Sequence, residues 1–406
     1  MIWSVAWRNV WRNKVRSLVI IIAVTIGIFA GVFSMAFMIG WMNQRVNSGI
    51  KTEVSHIQIH HPEYIKTGDI QDFIPGSGKI LKEISENKDV KAVSGRMIVN
   101  SMIASAETGS GVQIIGINPQ DEAMVTDIHN KLIEGKYLQG VKRNPIVIGD
   151  KLAKKLKVKI RSKVIITAQN TEGTIISAAF KVTGIYKTVN TSFDEMKVFV
   201  KKTDLAKFIG LPETTNHEIA ILLYDNNKVE MVENELKNHY KGLEILNYKK
   251  LLPDLELITE SMDFTMYIFI AIIMLGLGFA IINTMLMAVL ERVKELGMLM
   301  AVGMNKIRIF FMIVLETVFL SLIGGVSGVI VGTLISKLMH KTGLDLSNWS
   351  EGLNAYGYDA IIYPVLQWNV LINITILVII VGILAALYPA YKALKLNPAD
   401  ALRTDN

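Results

Sequence analysis

Apolar residues in this chain are gathered into four long blocks, and the remaining segments mix apolar and polar positions as soluble domains do. Each block exceeds the roughly 20 residues that an α-helix needs to cross a bilayer core of about 30 Å. The third block contains one charged residue, Glu316, and the other three contain none. A helix in a soluble core would show a polar face, and these blocks show none. The pattern therefore predicts four membrane-spanning helices, at 18–42, 264–290, 309–335 and 369–391.

The segment 43–263, between the first two spans, has the pattern of a mixed α+β domain. Residues 54–60 alternate apolar and polar positions, as a half-buried strand should. Residues 79–87 and 150–156 have the periodicity of short amphipathic helices, and 109–111 indicates a turn. The predicted fold class is a membrane protein with four transmembrane α-helices and a large α+β domain inserted between helices 1 and 2. That domain is large enough for its own core or for two subdomains.

Residues 1–17 carry two stripes at helical spacing. Tryptophans recur every four residues, and arginines recur at the same spacing beside them. This arrangement predicts an amphipathic helix in the membrane interface, or alternatively simple flanking anchors for the first span. The residues of the two stripes are Trp3, Trp7, Trp11, Arg8, Arg12 and Arg16.

Composition and charge agree with a membrane protein and give its orientation. Only 19% of residues are charged, below the quarter that is usual in soluble domains, and the mean hydropathy is +0.37. Lysine and arginine are concentrated in residues 1–17, 291–308 and 392–406, whereas 336–368 is more acidic. The positive-inside rule therefore places both termini in the cytoplasm and the segments 43–263 and 336–368 outside. The apolar stretch of the first span is about twice that of a cleaved signal peptide, which favours a retained anchor.

Small residues recur four positions apart in two of the spans. Such ladders let helix backbones approach closely in lipid. They can serve packing within one chain or contact with a neighbouring subunit. The predicted packing residues are Gly27 and Gly31 in the first span and Gly324, Gly328 and Gly332 in the third.

Two polar residues, Glu316 and Asn283, lie inside predicted spans. Ionisable groups are costly in lipid, so Glu316 is a candidate functional residue. Because it lies about two turns from the cytoplasmic end, its side chain can also reach the interface or pair with Arg308 or Lys306.

The sequence contains no catalytic pattern. The phosphate-binding motif G-x-x-x-x-G-K-[ST] is absent, since its nearest approach at Gly78-Lys79 has Phe73 and Ile80 at two required positions. No Ser/His/Asp or paired-carboxylate arrangement stands out. We therefore expect a non-catalytic chain that binds no cofactor of its own.

A metal site is not predicted either. The chain has no cysteine, and His56 and His60 on one strand face would lie about 13 Å apart. We expect them and His61 to be surface residues. The basic run over 151–163 is interpreted as a solvated face, with binding of an acidic partner or lipid headgroup as the alternative.

The link between the second and third spans carries a distinctive motif. Residues 291–303 read ERVKELGMLMAVG, and the chain continues through Asn305, Lys306 and Arg308. This stretch resembles the E-R-x-x-E-[IL]-G-x-[LM]-x-A-[IV]-G motif of the MacB/FtsX/LolC–LolE permease superfamily, the type VII ABC transporters. The end of the chain, YPAYKALKLNPADALR at 388–403, and its opening, AWRNVWRNK at 6–14, are similar to the corresponding family phrases.

The resemblance implies that 291–308 is a coupling helix that docks into a groove of a separate cytoplasmic ABC ATPase dimer, which holds ATP and Mg²⁺. It also implies a second permease chain, identical or paralogous, and a periplasmic domain that handles substrate outside the inner membrane. Two departures from the family pattern are Met300, where arginine is frequent, and Arg161-Ser162, where Gly-Asp is common. The residues expected to couple to the ATPase are Glu291, Arg292, Lys294, Glu295, Leu296, Gly297, Met300, Ala301 and Gly303.

The size of the outer domain and the length of 336–368 look most like LolC/LolE, which implies extraction of lipoproteins from the bacterial inner membrane. Two alternatives stay open on the sequence. One is a MacB-like efflux subunit that works with a periplasmic adaptor and an outer-membrane channel. The other is an FtsX-like signalling scaffold that activates a cell-wall hydrolase. The cargo and its binding residues are not specified by the sequence.

Overall fold

A computed structural model describes residues 2–139 and 143–395. Most of the predicted tail over 392–406, and with it the end of the 388–403 motif, lies outside the described residues. The α-helices of the described chain are α1 Ile2–Arg12, α2 Lys14–Ser48, α3 Tyr64–Thr67, α4 Ser77–Ser85, α5 Pro119–Val125, α6 Asp150–Leu156, α7 Thr191–Met196, α8 Lys202–Ile209, α9 Val229–His239, α10 Tyr248–Leu251, α11 Pro253–Glu291, α12 Val293–Ala301, α13 Lys306–Thr342, α14 Ser350–Ala355 and α15 Trp368–Leu394.

The strands form one large sheet and one small hairpin. They are β1 Ile57–His60, β2 Val90–Ala104, β3 Gly109–Ile117, β4 Leu132–Gly135, β5 Pro145–Gly149, β6 Lys163–Gln169, β7 Ile175–Tyr186, β8 Lys197–Lys201, β9 Glu218–Leu223, β10 Glu244–Asn247, β11 Leu344–Asp345 and β12 Ile361–Ile362. The last two pair with each other, and the others form the ten-stranded sheet.

Within the described residues, four helices are long and apolar enough to cross a membrane: α2, α11, α13 and α15. They belong to one compact unit made of residues 1–42, 259–345 and 361–406. Their buried faces share one apolar core, which also takes in Ala6 and Val10 of α1. Trp3 and Trp7 of α1 lie edge-on to Phe319 of α13, with ring centroids 5.8 and 5.5 Å apart. The amphipathic helix at the start of the chain thus packs one side on a spanning helix.

The second unit, residues 43–258 and 346–360, is built on the ten-stranded sheet. Its strand order is β10-β1-β9-β2-β3-β8-β5-β7-β4, and β6 pairs with both β2 and β7. The strands β2, β3, β8, β5, β7 and β6 therefore form a closed ring of pairings, in which only β3/β8 and β5/β7 are parallel. One apolar core fills this ring and a second lies between β1, β9, β10 and the helices α4 and α9. The fold class predicted from the sequence is confirmed.

Several local predictions for this unit need correction. Only Val54 of the segment 54–60 belongs to the π-helix Gly49–Val54, and the segment ends with the strand β1, whose four residues are all buried. Ile57 and Ile59 lie in the apolar core shared with α4 and α9, and the Gln58 and His60 side chains make hydrogen bonds. The turn expected at 109–111 lies earlier, at 105–108, and Gly109 already begins β3. Residues 346–360, within the predicted loop 336–368, belong to the second unit.

The histidine prediction was wrong for two residues. His56 and His60 are each only 4% exposed. The Leu223 N–H donates to Nδ1 of His56 at 2.9 Å, and His60 lies 3.2 Å from the His217 carbonyl and 3.0 Å from the Gln58 amide oxygen. His60 ends β1 and His56 directly precedes it, and both side chains are buried and hydrogen-bonded, which the alternation of the sequence did not show.

Candidate functional site

The link between α11 and α13 is a short helix with a sharp end. The helix α12 has nine residues, its hydrogen bonding ends at Val302, and Gly303 has φ +98°. Such a φ favours glycine, so the turn requires this residue. Asn305 then caps α13, since its side-chain oxygen accepts from the Ile307 N–H at 3.0 Å. The predicted coupling segment 291–308 is therefore one short helix, one turn and the first turn of α13.

One side of α12 faces the apolar core of the helical unit. Leu296 and Gly297 are buried, while Leu299 and Met300 are partly buried against the same core. Their spacing of three and four residues places them on one face of the helix. Met300, where the family often has arginine, thus contributes an apolar contact.

The other side of α12 is open. Lys294 and Ala301 are exposed, Met298 is 52% exposed, and Val302 is 89% exposed. Met298 and Val302 were not among the predicted coupling residues, although their four-residue spacing opposite Leu296 is visible in the sequence. Large apolar side chains left open between two spans form a surface suited to a protein partner.

Charged residues at the start of α12 are paired with other helices. Nη1 of Arg292 donates to both Glu316 oxygens, at 3.0 and 3.2 Å, and the two side chains are 12% and 7% exposed. The predicted alternatives for Glu316, an interfacial position or pairing with Lys306 or Arg308, do not describe this arrangement. Instead the Lys306 ammonium donates to the Leu394 carbonyl at 3.2 Å.

Two further ion pairs join the same link to the first helices. Arg12 pairs with Glu295, and Arg16 pairs with Glu291. Nη2 of Arg292 also lies 3.5 Å from the Asn9 carbonyl. The acidic residues of the link thus face the arginine stripe at the start of the chain, a pairing that sequence spacing alone did not indicate.

The glycine ladder of the third span packs inside the chain. A Cβ added to Gly324, Gly328 or Gly332 would lie 2.7–2.9 Å from the Cβ atoms of Val24, Ile28 and Val32 of α2. The sequence left open whether these glycines pack within the chain or against a neighbouring subunit. In the structure they pack against α2, the first span of the same chain. In α2, Gly27 faces Leu277, with a virtual Cβ 3.3 Å from its Cδ1, and Gly31 faces Ile273 at 4.0 Å. Asn283, on α11, is exposed.

A buried charged cluster lies in the second unit. Arg96 donates to Glu122 at 2.7 Å and to Glu218 at 2.5 Å, and Ser94 and Thr126 also donate to Glu122. Burial acts to raise the pKa of Glu122, but Arg96 and the two hydroxyls lower it below its usual value. Because every charge here has a partner, we interpret the cluster as structural.

The described residues contain no group of three or more histidine, aspartate or glutamate side chains placed to hold a metal ion. The predicted basic run over 151–163 is exposed, and three of its lysines pair with acidic neighbours, among them Lys154 with Asp150 at 2.7 Å. This geometry fits a solvated face.

Comparison with known proteins identifies two matched regions. Residues 17–239 match the MacB-like periplasmic core domain, and residues 267–398 match the FtsX-like permease C-terminal region. The first match covers more than half of the chain.

Three relatives illustrate the range of the similarity. An uncharacterized ABC transporter permease of Methanocaldococcus jannaschii is 26% identical over 55% of this chain and 55% of its own length. The lipoprotein-releasing system transmembrane protein LolC of Buchnera aphidicola is 23% identical over 79% of both chains. The macrolide export ATP-binding/permease protein MacB of Escherichia coli is 26% identical over 56% of this chain and 34% of its own length. The match thus spans about half of the first relative and a third of MacB.

The MacB-like region includes the first spanning helix and most of the sheet unit, and the FtsX-like region contains the other three spanning helices. The α12 link, with its ERVKELG sequence, lies inside the FtsX-like region. This chain belongs to the MacB/FtsX/Lol family of ABC transporter permeases.

Proposed function

We propose that this chain is the permease subunit of an ABC transporter in which a separate cytoplasmic ATPase drives the movement of an outer domain. The observation that carries the proposal is the α12 link, which has an exposed apolar side and a buried ion pair to α13. Because α12 is short and is joined to α13 by this ion pair, a displacement of α12 moves α11 and α13 together. ATP and Mg²⁺ are bound by the partner ATPase, and this chain performs no catalysis.

The proposed topology places α1, the α12 link and both termini in the cytoplasm of a bacterium and the sheet unit outside its inner membrane. The concentration of lysine and arginine in the short segments supports this orientation. A second permease chain completes the assembly, since a dimeric ATPase offers two equivalent docking grooves.

For the cargo, we propose lipoproteins that are extracted from the inner membrane. The similarity to LolC covers 79% of this chain and the similarity to MacB covers 56% of it, which supports this choice over MacB-like efflux. Efflux with an adaptor and an outer-membrane channel is the second candidate, favoured by the match of residues 17–239 to the MacB-like domain.

The test is photo-crosslinking in native membranes, with a photoreactive residue at exposed positions of the sheet unit such as Met102, Ile175 or Tyr224. Capture of lipoprotein before ATP addition and its loss afterwards is the expected result. Capture of an adaptor protein without lipoprotein would favour efflux instead. Capture of a cell-wall hydrolase alone would contradict both and favour the signalling scaffold.

A further inference from the structure

A cavity of about 670 Å³ lies in the sheet unit beside the start of α8. The ends of β3 and β8 and the first residues of α5 and α8 line it, together with Leu81 of α4 and the buried Leu138. Cavities of about 300–1,000 Å³ have the size of small-molecule binding sites. We call it the α8 cavity, and none of the site residues predicted from the sequence lines it.

The α8 cavity is lined by charged side chains of both signs that are not paired with each other. They are Lys201, Lys202, Asp121 and Glu213. None of them forms an ion pair with any residue that the structure describes, although Asp121 accepts a hydrogen bond from the Asn118 amide at 2.8 Å. Elsewhere in the sheet unit, neighbouring opposite charges do pair, as Lys154 does with Asp150 at 2.7 Å. The charges around the cavity therefore remain free to contact a ligand that carries both signs.

Lys202 is held in place from the protein side. Its ammonium donates to Oδ1 of Asn216 at 2.5 Å, and the Asn216 amide, which is buried, donates to the Ser77 hydroxyl at 3.0 Å. Gly95 leaves room for this arrangement, since a Cβ there would lie 2.8 Å from Cγ of Asn216. An ammonium has three N–H donors, so two remain for a ligand in the cavity.

The surroundings of Lys202 favour an oxyanion next to it. Burial lowers the pKa of Lys202 to about 8, because it removes the ammonium from water, and Glu213 and Asp121 offset only part of this effect. A bound oxyanion would stabilise the charged form further. The helix α8 also begins without a side-chain cap, so the N–H groups of its first turn lack a capping partner. The partial positive charge at this helix end acts in the same direction.

We infer that the α8 cavity binds a small zwitterion, whose phosphate or carboxylate contacts Lys202 and the start of α8 and whose amine contacts Asp121 and Glu213. Two lysines and two carboxylates give the lining no net charge, so a ligand with one charge of each sign complements it best. An anion alone would leave both carboxylates without a partner, and an amine alone would leave both lysines without one. This site requires neither the ATPase nor a lipoprotein, and so goes beyond the proposed function.

The first measurement follows the reactivity of Lys202 in the full chain, purified in detergent. An acylating reagent at about pH 7 modifies only neutral amines, and peptide mass spectrometry gives the rate at each lysine. The probes are phosphoethanolamine and glycylglycine. A bound oxyanion that raises the pKa of Lys202 by about one unit lowers its neutral fraction, and therefore its labelling rate, about ten-fold. The rate is expressed relative to that of the exposed Lys151, outside the cavity, which corrects for reagent consumed by the probes.

The second measurement compares affinities by ligand-observed NMR titration. Each zwitterion should bind more tightly than its single-charge counterparts, which are inorganic phosphate, acetate and ethanolamine. Lys202→Met should weaken zwitterion binding about 10- to 100-fold, the effect of losing a charged hydrogen bond. Lys207→Met, at an exposed position of the same helix, is the matched control and should leave binding unchanged. Glu213→Gln should reduce the preference for the zwitterion over its anion about two- to five-fold.

Protection of Lys202 by phosphoethanolamine alone supports the site and assigns it a phosphate, whereas protection by glycylglycine alone supports it and assigns it a carboxylate. An unchanged ratio of Lys202 to Lys151 labelling with both probes would overturn the inference. So would equal binding of each zwitterion and its anion with no effect of Glu213→Gln. Because the labelling uses the unaltered chain, a folding defect in the Lys202→Met variant cannot produce either result.

Discussion

Arg292 shows how a single residue joins the coupling link to the spanning helices. It stands directly before α12, and its guanidinium binds the buried carboxylate of Glu316 on α13. The sequence indicated both residues separately, one as part of a motif and the other as the only charge in a span. It did not indicate that they pair, because residues 24 positions apart on different helices have no periodic relation.

We predict that Arg292→Met destabilises the chain by about 3–5 kcal/mol, because it leaves Glu316 as an unpaired buried charge. The double variant Arg292→Met with Glu316→Met should recover most of that loss. The matched control is Arg12→Met, which removes an exposed pair with Glu295 and should cost at most about 1 kcal/mol. Thermal unfolding of the full chain in detergent measures all three, and a double variant as unstable as the single one would contradict the pairing.

The buried histidines lead to a prediction about pH. Burial lowers the pKa of His56, His60 and His217 from the usual 6.5. The unfolded chain then binds more protons below about pH 6.5, so stability is full at higher pH and falls as the pH drops, by up to about 1.4 kcal/mol per unit for each histidine. Hydrogen exchange of the sheet unit in the full chain, at about pH 8 and about pH 6, checks this.

Replacing His60 with glutamine should reduce the slope of stability against pH, since glutamine keeps hydrogen-bonding groups without titrating. A slope of the opposite sign above pH 6 would contradict the assignment. Asp194 has the opposite effect at lower pH. Burial raises its pKa to about 6, so its contribution to stability is lost as the pH rises from about 4 to 6.

At the level of elements, the sequence specified the membrane part far better than the sheet. A bilayer sets the length of a span and excludes charge from it, so the four helices could be predicted from hydropathy. The long strand β2 was not predicted, because its buried positions are interrupted by Ser94, Arg96 and Asn100. The first two of these are themselves buried, in the cluster with Glu122. Pairing order and such buried polar contacts depend on distant residues, which no local pattern shows.

The packing of α13 on α2 gives a prediction at this level. A Cβ at Gly328 would lie 2.7 Å from the Cβ of Ile28 and 2.9 Å from the Thr25 carbonyl oxygen, so Gly328→Ala forces the helices apart. We expect a loss of about 1–3 kcal/mol in the free energy of unfolding. Gly278→Ala on α11, where a Cβ would lie at an ordinary contact distance of 3.5 Å from Val381, is the control and should be neutral or slightly stabilising. Equal effects in a thermal unfolding assay would refute close packing at Gly328.

At the level of the whole molecule, the coupling function depends on the open side of α12. We predict that Val302→Asp, or Met298→Asp, weakens ATPase binding about 10- to 100-fold, because buried apolar anchors carry most of the binding energy at protein interfaces. Val302 is 89% exposed in the isolated chain, so the substitution has little reason to disturb folding. Ile175→Asp, at a 75% exposed position of the sheet unit, is the matched control and should leave ATPase binding unchanged. Copurification from membranes, followed by titration of the purified ATPase, measures the effect. Normal ATPase binding by both Val302→Asp and Met298→Asp would show that the ATPase contacts another surface. The α12 link would then not be the coupling element.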